Sequence, residues 1–144
     1  MQRASINVEP GVQLGVAVVF LSNAPGADGH QQRRLTRRLF DEACRAEQLD
    51  LIDWRPVPVE PDALGDLARS TAPHIEQAII AVGASVSSSD AEARCYRARK
   101  RVERAVRAAS LGAYVASMSF RTLTYKAMCA ADQLAAFYPD LRDQ

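Results

Sequence analysis

The chain has 144 residues, 48% of them hydrophobic and 24% charged, and a formal net charge of +1. That composition supplies one globular domain with a sizeable core and leaves too little chain for two. No apolar run approaches the ~20 residues of a membrane-spanning helix, and Met1-Gln2-Arg3-Ala4-Ser5 lacks the apolar stretch of a signal peptide, so a cytoplasmic location with no membrane partner is expected.

Residues 1–13, with Pro10 and Gly11 and no periodic pattern, read as a lead-in that precedes a single domain over 14–144. The run Leu14-Gly15-Val16-Ala17-Val18-Val19-Phe20-Leu21 is continuously apolar and Val-rich, the pattern of a strand covered on both faces. Ser22 to Gly29, with Asn23, Pro25 and two glycines, predicts a loop. From about Gln31 to Gln48, Leu35, Leu39, Phe40 and Ala43 recur at helical spacing among arginines, which predicts an amphipathic helix.

Asp50–Arg55 predicts a short strand, and Pro56, Pro58 and Pro61 continue it as an extended segment unsuited to the middle of a sheet. Asp62 is a suitable N-cap for a short helix to about Ser70. His74 to Val82 predicts a third strand, and Gly83 to Asp90 a polar loop. Ala91, Cys95, Ala98, Val102, Ala105, Val106 and Ala109 then form one apolar stripe, with Asp90 as the predicted N-cap and Gly112 as the predicted left-handed stop. Ala113–Met118 and Thr122–Met128 predict two further strands around a bend at Phe120-Arg121, and Ala131–Phe137 a last helix.

The order is β-α-β-β-α-β with an added C-terminal strand and helix. We therefore expect an α+β fold with a ferredoxin-like split βαβ core, both long helices lying on one face of the sheet.

Chemistry-bearing patterns are sparse. Cys44, Cys95 and Cys129 are far apart, with no C-x2-C spacing, and predict buried free thiols; His30 and His74 are not spaced as metal ligands. No G-x-S-x-G elbow, Gly-rich phosphate loop or H-E-x-x-H occurs. An RNA-recognition module would carry aromatics on its third strand, and His74–Val82 has none, so nucleic acid is not an expected partner.

Charge is nevertheless uneven. Residues 1–88 hold eight basic and eleven acidic side chains, and residues 89–144 ten and six. Arg94, Arg97, Arg101 and Arg104 share one helical face, which reads either as a phosphate-contacting stripe or as a solvated face paired with acidic groups.

Several segments have recognisable wording. Gly15–Leu21, Leu51–Val59, Leu64-Gly65 with Ala68-Arg69, Ala72–Gln77, Arg97–Val106 and Tyr114–Leu141 resemble, in the same order, segments of the class II glutamine amidotransferase domain of the glutamate synthase large subunit. Ser117–Thr122, Tyr125-Lys126 and Phe137–Leu141 are the most specific. The resemblance implies a partial Ntn-type αββα sandwich as the alternative fold, and glutamine hydrolysis to glutamate and ammonia, with the ammonia passed to a synthase domain that aminates 2-oxoglutarate. FMN and iron–sulfur clusters belong to other domains of that family, so this chain is expected to need no cofactor.

The family's nucleophile is a cysteine exposed as the mature N-terminal residue. Here Met1 is followed by Gln2, and the first cysteine is Cys44. The family's substrate-binding motifs lie beyond the point matching Leu141, and Phe120 and Ala127 stand where the family usually has Ser and Gly. The resemblance therefore assigns no catalytic, cofactor or metal residue; it marks Ser119, Arg121, Thr122, Tyr125 and Lys126 as a family-like candidate surface. It implies a part-domain without glutaminase activity of its own, with other glutamate synthase domains or a second copy as partners. The alternatives are a binding or oligomerisation module, or a subunit that completes a glutaminase in trans.

Overall fold

The computed structural model describes residues 12–57 and 74–121. Its elements are β1 (Gln13–Leu21), α1 (Gly26–Ala46), β2 (Asp50–Pro56), β3 (His74–Val82), α2 (Ser88–Ala108) and β4 (Tyr114–Ser119). The four strands form one sheet in the order β2-β3-β1-β4, and every neighbouring pair is antiparallel. The fold is thus α+β. The expected short helix at 62–70, the strand at 122–128 and the last helix at 131–137 lie outside the described residues.

The register explains why β1 is apolar throughout. Ala17 pairs with Ala78 and Val19 with Val115 on the face that meets the helices, where Leu21, Ile80 and Val82 join Phe40, Ala43 and Cys44 of α1 and Cys95, Ala98 and Val102 of α2. Alternate residues of the same strands point the other way, and Val18, Phe20, Ile79 and Ala81 are buried there too. Tyr114 stacks on Phe20 on that side, with ring centroids 4.8 Å apart. Two β-bulges interrupt the ladders, one between Val18 and Val19 against β4, the other between Leu51 and Asp53 against β3. Each re-aims the edge strand so that its large side chains reach the helix side, as Trp54 does against Phe40.

Three element boundaries differ from the sequence expectation. Helix α1 starts at Gly26, inside the expected loop, because Pro25 supplies an extended N-cap and Gly26 takes φ +70° to turn the chain into the helix. Helix α2 is capped by Ser87, whose Oγ accepts from the Asp90 N–H at 3.1 Å, so Asp90 lies in the first turn and is not the cap. The left-handed residue after α2 is Ser110 at φ 56°, not Gly112; the Leu111 N–H reaches back to the Val106 carbonyl at 2.9 Å and closes the helix there. Helix α1 ends the same way, with Gln48 at φ 59° and the Leu49 N–H on the Cys44 carbonyl at 2.9 Å.

Candidate functional site

Of the five family-like candidates, Ser119 and Arg121 are described; Thr122, Tyr125 and Lys126 lie outside the described residues. Ser119 ends β4 and is buried. Its Oγ donates to Glu92 of α2 at 2.9 Å, the Phe120 N–H donates to the same carboxylate at 2.8 Å, and the Arg121 N–H donates to Ser119 Oγ at 2.8 Å. The Arg121 guanidinium reaches Ser88 Oγ, with Nε at 2.9 Å. Ser88 and Glu92 are four residues apart and so lie on one side of the first turn of α2. Together they clasp the exit of β4, and the groups they hold are one backbone amide, one hydroxyl and one guanidinium. The arrangement pins the bend at Phe120-Arg121 to the start of α2, and the one hydroxyl in it, that of Ser119, is buried and spent on Glu92.

The sequence pointed to this bend through Ser119 and Arg121 and missed the partners that hold it. Glu92 and Ser88 carry only their spacing as a signal, and nothing in that spacing names a bend some thirty residues on. Gly15 was missed as well. A Cβ there would lie 2.8 Å from Phe120 Cδ1 and 2.9 Å from the Ser119 carbonyl oxygen, so the bare backbone of β1 is what lets the bend settle onto the sheet.

A second cluster ties β3 to α1. Glu76 is buried, and its carboxylate is held by both ends of the Arg37 fork, with Nε to Oε1 at 3.1 Å, and by His74 Nε2 at 3.0 Å. Glu76 belongs to the family-like segment 72–77, and a satisfied buried ion pair explains it. Beside this cluster an open groove of about 510 Å³ runs between α1 and β2, lined by Arg38, Asp41, Arg45, Leu51 and Trp54 among others, with no Ser, Cys or His in its wall. Arg45 is paired with Asp41 at 3.0 Å. The groove gathers no catalytic set.

The basic face of α2 is partly spent within the fold. Arg97 Nε donates to Glu47 Oε2 at 2.7 Å, Arg101 Nε to Glu47 Oε1 at 2.8 Å, and Arg94 Nη1 to the Gln48 carbonyl at 3.1 Å. The Arg97 and Arg101 hydrogen bonds hold the Glu47 carboxyl below its ordinary range. These arginines therefore brace the C-terminal end of α1.

The thiols are silent. Cys44 and Cys95 are free and buried in the core between the helices. Burial pushes both up to about 12, with Asp41 adding to the effect on Cys44 and Glu92 to that on Cys95. Among the described residues no group of three His, Cys, Asp or Glu is placed to hold a metal ion, and no helix is long and apolar enough to cross a membrane.

The family profile described as Glutamine amidotransferases class-II matches residues 1–144, and the chain belongs to that family. Within it the similarity is to glutamate synthases, as the segment wording implied. The chain is 35% identical over 133 residues to ferredoxin-dependent glutamate synthase 2 of Synechocystis sp., an alignment covering 92% of this chain and 8% of that protein. It is 41% identical over 92 residues to the glutamate synthase [NADPH] large chain of Azospirillum brasilense, covering 63% and 6%. It is 34% identical over 132 residues to the chloroplastic/mitochondrial ferredoxin-dependent glutamate synthase 1 of Arabidopsis thaliana, covering 90% and 8%. The chain thus spans less than a tenth of the length of these relatives.

Proposed function

We propose that this chain is a scaffold part of a glutamate synthase amidotransferase domain, and that by itself it does not hydrolyse glutamine. One observation carries the reading: the two described thiols are core side chains, pushed up to about 12 and closed off from solvent, so neither is a thiolate that attacks an amide. Ser119 and Arg121 serve the bend after β4, and Thr122, Tyr125 and Lys126 belong with them to the family-like segment that follows in sequence. In the reaction of the whole family, acyl transfer through a thioester, the role of this part is to hold neighbouring segments in place.

The strand order β2-β3-β1-β4 with both helices on one face supports a split βαβ, ferredoxin-like core. Its second face also buries Val18, Phe20, Ile79 and Ala81, which suits one layer of a larger αββα sandwich. Contacts with other glutamate synthase domains belong to the same proposal.

The test is ammonia release from glutamine by the purified chain, with a Cys44→Ser, Cys95→Ser variant alongside. No release above the buffer rate is expected from either. Turnover by the parent chain would overturn the assignment, and its loss in the variant would place it on one of these two thiols.

A further inference from the structure

Between Tyr96 and Ala108 the exposed positions of α2 hold Arg97, Lys100, Arg101, Arg104 and Arg107 and no carboxylate. Glu103, the one acid in that stretch, is half-buried and bonded to Arg99 at 3.2 Å, with Lys100 at 3.6 Å. From Arg97 to Arg107 the row runs about 15 Å along the helix axis. A cation in the last turn, such as Arg107, complements the helix dipole, but that accounts for one residue and not for a row. Helix α1 differs in balance: its exposed Arg38 and Arg45 each have a carboxylate of their own one turn away, at Glu42 and Asp41, whereas Arg97 and Arg101 share the single carboxylate of Glu47 and Lys100 shares Glu103 with Arg99.

We infer that this face of α2 docks an acidic protein surface. Its chemistry is already on display within the fold, where Arg97 and Arg101 each give their Nε–H to one carboxylate, that of Glu47. Those bonds hold each guanidinium by its Nε, so a further carboxylate is met by donors whose freedom has already been reduced. A chain of net charge +1 lacks the broad positive field of a nucleic-acid binder, so the row is a local patch suited to a local acidic one. The relatives extend more than tenfold beyond the matched stretch, so in them other polypeptide surrounds it. Only this source of the partner rests on the proposed function.

The experiment uses the full chain, a fluorescent oligoglutamate peptide and a single-stranded oligonucleotide of equal charge, with anisotropy read at low and moderate salt. One variant reverses α2 (Lys100→Glu, Arg104→Glu, Arg107→Glu) and another reverses α1 by the same charge (Arg34→Glu, Arg38→Glu, Arg45→Glu). Circular dichroism confirms that each is folded, and the matching Gln variants replace any that is not. Peptide binding that survives the α1 change and weakens about tenfold or more on the α2 change is expected. No peptide binding, equal loss in both variants, or binding of the oligonucleotide in place of the peptide would overturn the inference. Because the readout is binding, failure here leaves the glutaminase result standing, and the reverse also holds.

Discussion

At residue scale, Gly15, Arg37 and the two thiols make the sharpest claims. Replacing Gly15 by Ala puts a Cβ against the Phe120 ring and the Ser119 carbonyl, and overpacking of that kind costs about 1–3 kcal/mol. Because two of the three nearest atoms belong to the ring, Phe120→Ser in the same chain should return part of the loss. A double-mutant cycle by urea denaturation measures it, and strict additivity would show that the ring is not the obstacle. The Arg37–Glu76 pair is asymmetric, with side-chain exposures of 29% and 7%. Arg37→Met leaves a buried carboxylate with His74 alone and should cost about 3 kcal/mol, whereas Glu76→Gln leaves a guanidinium that can reach water and should cost less. Equal losses would contradict the asymmetry. In a Cys129→Ser chain, Cys44 and Cys95 should react with a disulfide reagent only as fast as the protein opens.

At the scale of elements, the helix ends are where the chain has stability to gain. Gln48 and Ser110 sit in the left-handed region, which costs an L-residue more than glycine. Gln48→Gly and Ser110→Gly should each stabilise by about 0.5–1 kcal/mol once the extra freedom of the unfolded chain is set against the gain. An unchanged urea midpoint would mean that these residues are held at no strain. The brace between the helices also has a pH signature. Glu47 is lowered in the folded state, so its contribution is whole above its ordinary value near 4.5 and is lost as pH falls below that through the lowered value. Thermal melts of the parent chain and Glu47→Gln should therefore differ at pH 7 and converge as acid is added.

These ends also show what the sequence could and could not say. The two long helices and the stripe from Ala91 to Val106 were legible because burial imposes a period of about three and a half on their apolar residues, and β1 because a strand covered on both faces is a short, Val-rich apolar run. The starts and stops were not. Gly29 looks like loop chemistry, yet it lies within α1, where a Cβ would sit 1.7 Å from the Ala24 carbonyl oxygen. Gly112 looks like a helix stop, yet the chain turns at Ser110, two residues earlier. The candidate surface was found through its wording alone, and its clasp through Glu92 stayed hidden because tertiary contacts leave no periodic trace.

At the scale of the molecule, Trp54 reports the docking of α1 on β2, since its ring meets that of Phe40 edge-on with centroids 5.1 Å apart. The sheet it borders is built wholly from distant segments: β1 sets Gln13 beside Val82, β4 sets Ser119 beside Val16, and residues 57–73 separate β2 from β3. Among the described residues no neighbouring strands are joined by a tight turn, so none of these three pairings starts as a hairpin, and each must first close a long loop against chain entropy. Such topologies reach the native state in milliseconds to seconds, roughly, while helices form in microseconds. On refolding from urea the helical signal should therefore lead and Trp54 should follow. During that interval the apolar strands are waiting for partners far along the chain, and that is when this protein is most exposed to aggregation.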